Sequence, residues 1–476
     1  MIKKILIANR GEIALRVLRA CRELGIKTVA IHSEADESAM HVRMADESIC
    51  VGPASAQSSY LNIPAIITAA TLTNADGIHP GYGFLSENAN FASICESCGI
   101  TFIGPSAKTI SMLGDKAQAK SIAKGVKCPV IPGSNGIVET VEIAMKEAKN
   151  IGFPVFIKAT AGGGGKGIRI AENEEDFKRQ FAAARAEAEV SFGNPDIYLE
   201  KMIVNPRHIE IQVLSDKHGN YVHLGERDCT IQRRRQKLIE ETPSPVLTPQ
   251  LRKKMGDAAV NLAKAAKYHT VGTVEFLLDE KKNFYFMEVN TRIQVEHTVT
   301  EELTGIDLVK EQIKVSMGEK LPYKQKMIKM EGHIFEFRIN AENPASNFMP
   351  SPGLLEYYIP SGGPHVRVDS SCYSGYRIPP YYDSMIAKLI VKGKDREDAI
   401  NISKRALREF HIGGVHSTIP FHQYMLNNPT FLSGEGYNLA FIDTLIEEGC
   451  NFVNHESKTD TEETTPGQRA ATAASH

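Results

Sequence analysis

The sequence predicts a multidomain protein of mixed α/β and α+β class, and three observations carry the prediction. The first hundred residues alternate short apolar runs with amphipathic helical stretches. A glycine run at residues 161–167 is flanked on both sides by strand-like segments. A two-strand unit at residues 273–296 sets a row of polar side chains over an apolar underside. At 476 residues the chain is too long for one simple core and divides into two to four domains.

Residues 5–8 read as a strand, 13–24 as a helix and 28–32 as a strand, and the alternation runs on to about Gly104-Pro105. This βαβ pattern implies a parallel sheet. Its first turn, Asn9-Arg10-Gly11-Glu12, lacks the glycines that let a pyrophosphate approach, so no dinucleotide site is expected there. The later run Ala161-Gly162-Gly163-Gly164-Gly165-Lys166-Gly167 formally fits GxGxxG. However, it joins a strand at 154–158 to another at 168–170 instead of opening a helix, and Gly167 stands where a P-loop needs Ser or Thr. What remains is a flap whose backbone N–H groups can close over phosphates. Lys158 and Lys116 are candidate phosphate contacts, although either lysine alone is ordinarily a solvated surface charge.

Residues 205–213 alternate as a strand, with His208, Glu210 and Gln212 on one face. A strand at 221–224 and a loop at 226–228 lead to Gln232-Arg233-Arg234-Arg235-Gln236-Lys237. No aromatic residues interleave with these cations and Glu240-Glu241 follows at once, so an anion-facing loop is favoured over a nucleic-acid patch. On composition alone it is equally a solvated turn. Residues 273–278 and 283–288 form two strands about a turn at 279–282. A hairpin closing symmetrically at Lys281-Lys282 puts Glu275 opposite Glu288. Facing carboxylates destabilise a sheet unless a cation sits between them. With the amide oxygen of Asn290 they make a hard-oxygen site suited to Mg²⁺. Continued as a strand, the same row carries Arg292, Gln294 and Glu296.

Apolar content of 42%, charged content of 24% and a net charge of −2 are those of a globular protein and give no general reason to expect nucleic acid or membrane as partner. No apolar run approaches a membrane span, and the first residues are too short a run for a signal peptide. Eight scattered cysteines argue for free thiols in a reducing compartment, so a cytoplasmic location is expected. Cys95 and Cys98 form a CxxC without a second pair at zinc spacing, so a structural role is expected for them. Beyond Asn451 the chain turns polar and lacks the apolar density to fold.

Seven blocks give these motifs a family. They are residues 7–16, 79–88, 158–167, 205–213, 288–297, 337–342 and 379–385. In this order they closely resemble the biotin carboxylase subunits of biotin-dependent carboxylases, from Met1 to about Gly449. The resemblance implies an N-terminal Rossmann-like domain at 1–113 and an ATP-grasp domain at 114–331 with a mobile lid at about 132–203. A C-terminal α+β domain at 332–449 and a disordered tail at 450–476 complete the chain. It also implies that Lys116, Lys158, Gly164, Gly165, Glu200, Lys201, Ile203, His208, Arg235, Glu275 and Glu288 bind ATP. Glu275, Glu288 and Asn290 would hold metal, two Mg²⁺ or Mn²⁺ ions. Lys237, Arg292, Gln294 and Val295 would bind bicarbonate, Glu296 would be the base that deprotonates it, and Arg338 would hold the biotin ureido oxygen. Arg292, Glu296, Lys237 and Arg338 form the implied catalytic set. Three positions depart from the common pattern: Arg235 where many members have His, Thr298 where Pro is common, and Phe337 where Cys is frequent.

The implied reaction activates bicarbonate with ATP as carboxyphosphate, which delivers CO₂ to biotin. Flap closure keeps water out. Ala144-Met145-Lys146 lies in a helical stretch and lacks the second Met of a biotinyl hairpin. Biotin is therefore expected on a separate biotin carboxyl carrier protein, with a carboxyltransferase as further partner and a homodimer as the assembly. The leading expectation is the first half-reaction of acetyl-CoA carboxylase in fatty-acid synthesis. The equivalent component of a pyruvate, 2-oxoacid or other acyl-CoA carboxylase is the nearest alternative. A ligase joining a carboxylate to an amine is less favoured because of the Arg292–Glu296 row and Arg338, and a non-catalytic nucleotide-binding scaffold because the metal, base and arginine positions are all filled.

Overall fold

The computed structural model describes residues 2–160 and 167–452. Strands β1 (Lys4–Ile7), β2 (Lys27–His32), β3 (Glu47–Cys50), β4 (Gly77–His79) and β5 (Thr101–Phe102) form an all-parallel sheet in the order β3-β2-β1-β4-β5. Central β1 is apolar throughout Ile5-Leu6-Ile7, all fully buried, because helices cover both faces of a parallel sheet. The helix Gly11–Glu23 starts at the carboxyl end of β1, buries Ile13, Ala14, Val17, Leu18 and Cys21, and also takes Glu12 and Arg16 out of water.

A second unit has its own core. Strands β6 (Val155–Ala159), β7 (Ile168–Ala171) and β8 (Ile197–Lys201) pair antiparallel in the order β7-β6-β8 under the helices Val141–Ile151 and Glu174–Phe192. Val155, Ile157 and Ala159 point into a cluster with Phe177, Phe181 and Leu199. The period-two alternation therefore turns Phe156 and Lys158 to the opposite face. The expected strand–glycine–strand unit is an antiparallel hairpin, while Gly164 and Gly165 lie outside the described residues.

The largest element is an eight-stranded antiparallel sheet. Its members are β9 (Arg207–Ser215), β10 (Tyr221–Arg233), β11 (Gln236–Thr242), β12 (Thr270–Leu278), β13 (Phe284–Asn290), β14 (His333–Asn340), β15 (Val366–Ser370) and β16 (Met385–Gly393). They run in the order β13-β12-β9-β10-β11-β14-β16-β15, so the sheet is continuous across the expected boundary at 331–332. Ile209, Ile211, Val213, Val274 and Phe276 pack one face of β9 and β12 on the helix Pro249–Ala265. The alternate residues, His208, Glu210, Gln212, Thr273 and Glu275, are thereby left to the other face.

Four expectations are corrected here. The strand at 221–224 and loop at 226–228 are one 13-residue strand, kinked by a register shift between His223 and Glu226. Gly225 in that kink has φ +86°, which only glycine adopts without strain. The 273–290 hairpin closes one residue tighter than predicted, with Leu278 opposite Phe284. A bulge at Met287 then restores the facing of Glu275 and Glu288. The polar row does not continue as a strand: β13 ends at Asn290, residues 291–296 are irregular, and the helix His297–Thr304 follows. Finally, Phe452 is 1% exposed and packs edge-on to Phe421, Phe348 and Tyr424, so residues 450–452, expected in the tail, belong to the folded part. Residues 453–476 lie outside the described residues.

All eight cysteines are free, with Cys95 buried and Cys98 exposed. No helix among the described residues is long and apolar enough to cross a membrane.

Candidate active site

The polar face of β9–β12 converges on one ammonium group. Lys237 Nζ lies 2.6 Å from Glu210 Oε2, 2.5 Å from Glu296 Oε1 and 3.4 Å from Glu275 Oε1. Burial opposes its charge, but Cys229, Glu210, Glu296 and Glu275 together push its pKa well above the usual lysine range. Lys237 reaches this point because Arg234 and Arg235, at φ +47° and +67°, make the two-residue turn between β10 and β11. The run of cations is thus divided between surface and interior. Arg234 and Arg235 are exposed turn residues, whereas Lys237 faces inward.

Glu296 divides its carboxylate between two cations. Oε1 accepts from Lys237 and Oε2 accepts from Arg338 Nη2 at 2.8 Å. Arg338 in turn donates from Nε to Glu240 Oε1 at 2.6 Å. Burial alone would raise the Glu296 pKa, but Lys237, Arg338 and Arg227 hold it well below the carboxylate range. Arg338, Val295, Tyr82, Tyr382, Arg10 and Asp383 are among the residues lining an adjoining cavity of 370 Å³.

Beneath the cluster lies Arg227, fully buried on β10. Its Nε donates to Glu210 Oε1 at 2.6 Å. Nη1 donates to Gln212 Oε1 at 2.6 Å and Thr300 Oγ1 at 3.0 Å, and Nη2 to Gln294 Oε1 at 2.7 Å and Thr273 Oγ1 at 3.1 Å. All five guanidinium donors are used. Gln294 Nε2 then donates to Glu275 Oε1 at 2.9 Å, a position also reached by Asn290 Nδ2 at 2.6 Å. His208 Nε2 lies 3.1 Å from Glu275 Oε2. Burial would raise the Glu275 pKa, but Lys237 and His208 keep this carboxylate ionised.

Glu288 is half-exposed, and burial together with the charge of Glu275 raises its pKa. Exposed Lys116, 3.9 Å away, offsets only part of this. A carboxylate pair opposed in register, with the Asn290 amide beside it, fits a hard divalent cation. His208, Glu210 and Glu275 also bring donor atoms within 4.8 Å of one another, but there Lys237 already neutralises Glu210 and Glu275.

Arg292 stands apart from the Lys237 cluster. Its Nε pairs with Glu87 Oε2 at 2.9 Å and its Nη2 donates to Asn290 Oδ1 at 3.1 Å, while Glu87 Oε1 accepts the Thr291 N–H. In the second unit Lys158 pairs with Glu200, which Lys120 also reaches at 3.0 Å. Lys201 Nζ is turned to the carbonyls of Gly152 and Phe153, both at 2.7 Å. Half-buried Ile203 follows β8. The structure therefore gathers Lys237, Glu275, Glu296, His208, Gln294 and Arg338, keeps Lys158, Glu200 and Lys201 on the second unit, and leaves Arg235 exposed.

Sequence reasoning missed Arg227, Glu240 and Glu87, and left Glu210 without a role. Glu210 was signalled by its alternation with His208. Arg227 was hidden by reading 226–228 as a loop.

A carboxylate- and lysine-lined antiparallel sheet, served by a separately cored hairpin unit, is the ATP-grasp arrangement of ATP-dependent ligases. Residues 1–110 match the biotin carboxylase N-terminal domain, 115–324 the carbamoyl-phosphate synthase L chain ATP-binding domain, and 336–444 the biotin carboxylase C-terminal domain. The chain is 58% identical over 445 residues to biotin carboxylase 1 of Bacillus subtilis (strain 168), covering 93% of this chain and 99% of that protein. The crystal structure of the biotin carboxylase subunit of pyruvate carboxylase superposes with a TM-score of 0.87 at 49% identity, over 96% of this chain and 100% of that one. The crystal structure of the Hydrogenobacter thermophilus 2-oxoglutarate carboxylase biotin carboxylase domain dimer, in complex with MgADP, ADP and bicarbonate, superposes with a TM-score of 0.85. Its sequence identity is 50%, over 95% of this chain and 99% of that one. The chain belongs to the biotin carboxylase family, whose members carry out ATP-dependent carboxylation of biotin.

Proposed function

We propose that this enzyme carboxylates biotin carried on a separate carrier protein, as the first half-reaction of acetyl-CoA carboxylation in fatty-acid synthesis. The observation that carries the reading is the Glu296 carboxylate held between Lys237 and Arg338 beside a cavity. In this reading Lys237, Arg292, Gln294 and the backbone of Val295 receive bicarbonate. Glu296 takes its proton, and Arg338 stabilises the negative oxygen that develops on the biotin ureido group. Bicarbonate drawn to Lys237 and biotin drawn to Arg338 each remove a cation from Glu296. Its pKa therefore rises as the substrates assemble, and the base strengthens only in the loaded site.

Lys116, Lys158, Glu200, Lys201, Ile203, His208, Arg235 and the glycine loop including Gly164 and Gly165 serve the nucleotide. Glu275, Glu288 and Asn290 would hold one or two Mg²⁺ or Mn²⁺ ions, which when bound neutralise phosphate charge. The separate core of the lid unit supports its closing as a body. The proposed division is 1–113, 114–331 with the lid at about 132–203, and 332–449, in keeping with the three matched ranges. A carboxyltransferase partner and a homodimer complete the proposal, the dimer supported by the dimeric relative at 50% identity.

The test is ADP release with Mg²⁺-ATP and bicarbonate, with and without free biotin, beside Glu296→Ala. Biotin-stimulated release that disappears in the variant supports the reading. Release indifferent to biotin overturns it. Reconstitution with carrier and carboxyltransferase, offering acetyl-CoA, pyruvate and 2-oxoglutarate in turn, decides the acceptor.

A further inference from the structure

The turn that carries the proposed bicarbonate and base residues has no strand partner, yet its carbonyls are individually anchored. The Ile293 carbonyl accepts from Arg292 Nη1 at 3.2 Å. The Gln294 carbonyl accepts from His297 Nδ1 at 2.7 Å, and burial lowers the pKa of that imidazole well below its usual value. The Val295 carbonyl accepts from Lys388 Nζ at 2.9 Å. The two peptide planes on either side of Val295 are thus fixed by His297 and Lys388. Among the described residues the Val295 N–H has no acceptor, so it is left open for an anion.

Lys388 is an unusual residue for this task. It is 0% exposed, in the middle of β16, opposite Arg338 on one side and Asp369 on the other. Its Nζ also lies 3.2 Å from Glu12 Oε1 on the first helix, and Glu12 accepts a hydrogen bond from Tyr82, which lines the cavity beside Arg338. Asp369 adds further negative charge around it, and the Glu336 carboxyl, whose pKa burial raises, also faces it. A buried lysine with this many carboxylates needs no carbonyl to neutralise it. The bond to Val295 therefore serves the turn more than the lysine.

We propose that Lys388, anchored by Glu12, is a positioning residue for biotin carboxylation. It holds the Val295 carbonyl so that the Val295 N–H and the Glu296 carboxylate keep a fixed relation across the bicarbonate site. The inference rests on the bicarbonate reading of that turn. It ties three parts of the chain, 1–113, 114–331 and 332–449, through one ammonium group.

The experiment measures initial rates of ADP release for wild type, Lys388→Met and Glu12→Gln, varying bicarbonate at saturating ATP and then ATP at saturating bicarbonate. Loss of one charge-assisted hydrogen bond to the turn should raise the bicarbonate KM of Lys388→Met by about 10-fold to 100-fold. The ATP KM should stay within about two-fold, because the partners of Lys388, Val295 and Glu12, are not among the residues proposed to serve the nucleotide. Glu12→Gln, which keeps the shape and removes only the anchoring charge, should raise the bicarbonate KM by about 3-fold to 10-fold. A purely structural role would lower the active fraction and leave both KM values alone. Unchanged bicarbonate KM in either variant that retains wild-type ATP KM overturns the proposal, and if Lys388→Met fails to fold, Glu12→Gln decides alone. Wild type without biotin-stimulated release would instead refute the underlying functional reading.

Discussion

Replacing Arg227 by Met tests whether the active-site cluster rests on one buried guanidinium. The substitution preserves much of the volume but deletes five donors. The Gln212 and Gln294 amide oxygens lose short bonds of 2.6 and 2.7 Å, and each orphaned acceptor costs about 1.5 kcal/mol. Glu210, fully buried, loses one of its two cations and keeps only Lys237, which costs about 3 kcal/mol. The two threonine hydroxyls can rotate to other acceptors and are left out. The sum is about 6 kcal/mol, a large part of the stability of a unit this size. At ~2–4 °C per kcal/mol it lowers the unfolding midpoint by at least about 10 °C. Differential scanning fluorimetry measures the midpoint, and the double variant with Glu210→Gln separates the charge component. Because that second change removes the stranded anion, the pair should lose less than the two singles together by about 2 kcal/mol. A midpoint within about 2 °C of wild type for Arg227→Met, or strict additivity in the cycle, would refute the reasoning.

Glu288→Gln removes the charge that faces Glu275, so the metal-free midpoint should not fall, while the further stabilisation by Mg²⁺ with ATP should be lost in the same thermal assay. Lys237→Met should lower bicarbonate-dependent ADP release by about 100-fold or more, read from initial rates. It should also move the acid limb of the pH–rate profile upward, since Lys237 holds the Glu296 pKa down. His422, buried with Nε2 donating to the Arg338 carbonyl at 2.8 Å, has its pKa lowered by burial to about 4. It is neutral in the fold, so its stabilising share is present above the unfolded value near 6.5 and is lost as pH falls from there to about 4. His422→Gln keeps the donor and removes the titration. It should reduce the loss of stability between pH 6.5 and 4, measured by urea denaturation, by at most about 3 kcal/mol.

Legibility in the sequence followed the range of the interactions involved. The parallel N-terminal sheet and the strand–glycine–strand hairpin were readable because each rests on local periodicity, two residues for strands and 3.6 for helices. The facing of Glu275 and Glu288 was also readable, but through a wrong register that a bulge at Met287 corrected. No local pattern announces a bulge that cancels a tighter turn. The polar alternation beyond Asn290 misled for a related reason. Each polar side chain of this stretch, Arg292, Gln294 and Glu296, is held by a partner distant in sequence, with Glu87, Arg227, Lys237 and Arg338 among them. Alternation in a segment anchored residue by residue records chemistry, and only in a paired segment does it record a pleat. Arg227 was illegible because a charged residue two positions after a strand-kinking glycine reads as solvent-facing until four other segments are brought around it.

The arrangement of charge explains why such a site tolerates four buried cations and six buried carboxylates around one turn. Lys237, Arg227, Arg338 and Lys388 sit among Glu210, Glu275, Glu296, Glu240, Glu336 and Glu12. Glu240 and Glu336 stand opposite each other in register, both fully buried, each with one oxygen that has no partner. Burial and neighbouring carboxylates raise the pKa of both, Glu240 to about 7. At neutral pH this pair holds a proton, which brings the excess of negative charge closer to balance without an ion. Glu296 and Glu275 are pulled the other way, by Lys237 and by their arginine or histidine neighbours. Carboxylates of one chemical type are thus divided by environment into two that store a proton and two that stay ionised. The division lies along the sheet: the pair that shares a proton adjoins Arg338, and the ionised pair meets Lys237. An anion entering beside Lys237 therefore meets a cation whose counter-charges are already present and have only to be exchanged, which keeps the reorganisation small when the substrate arrives.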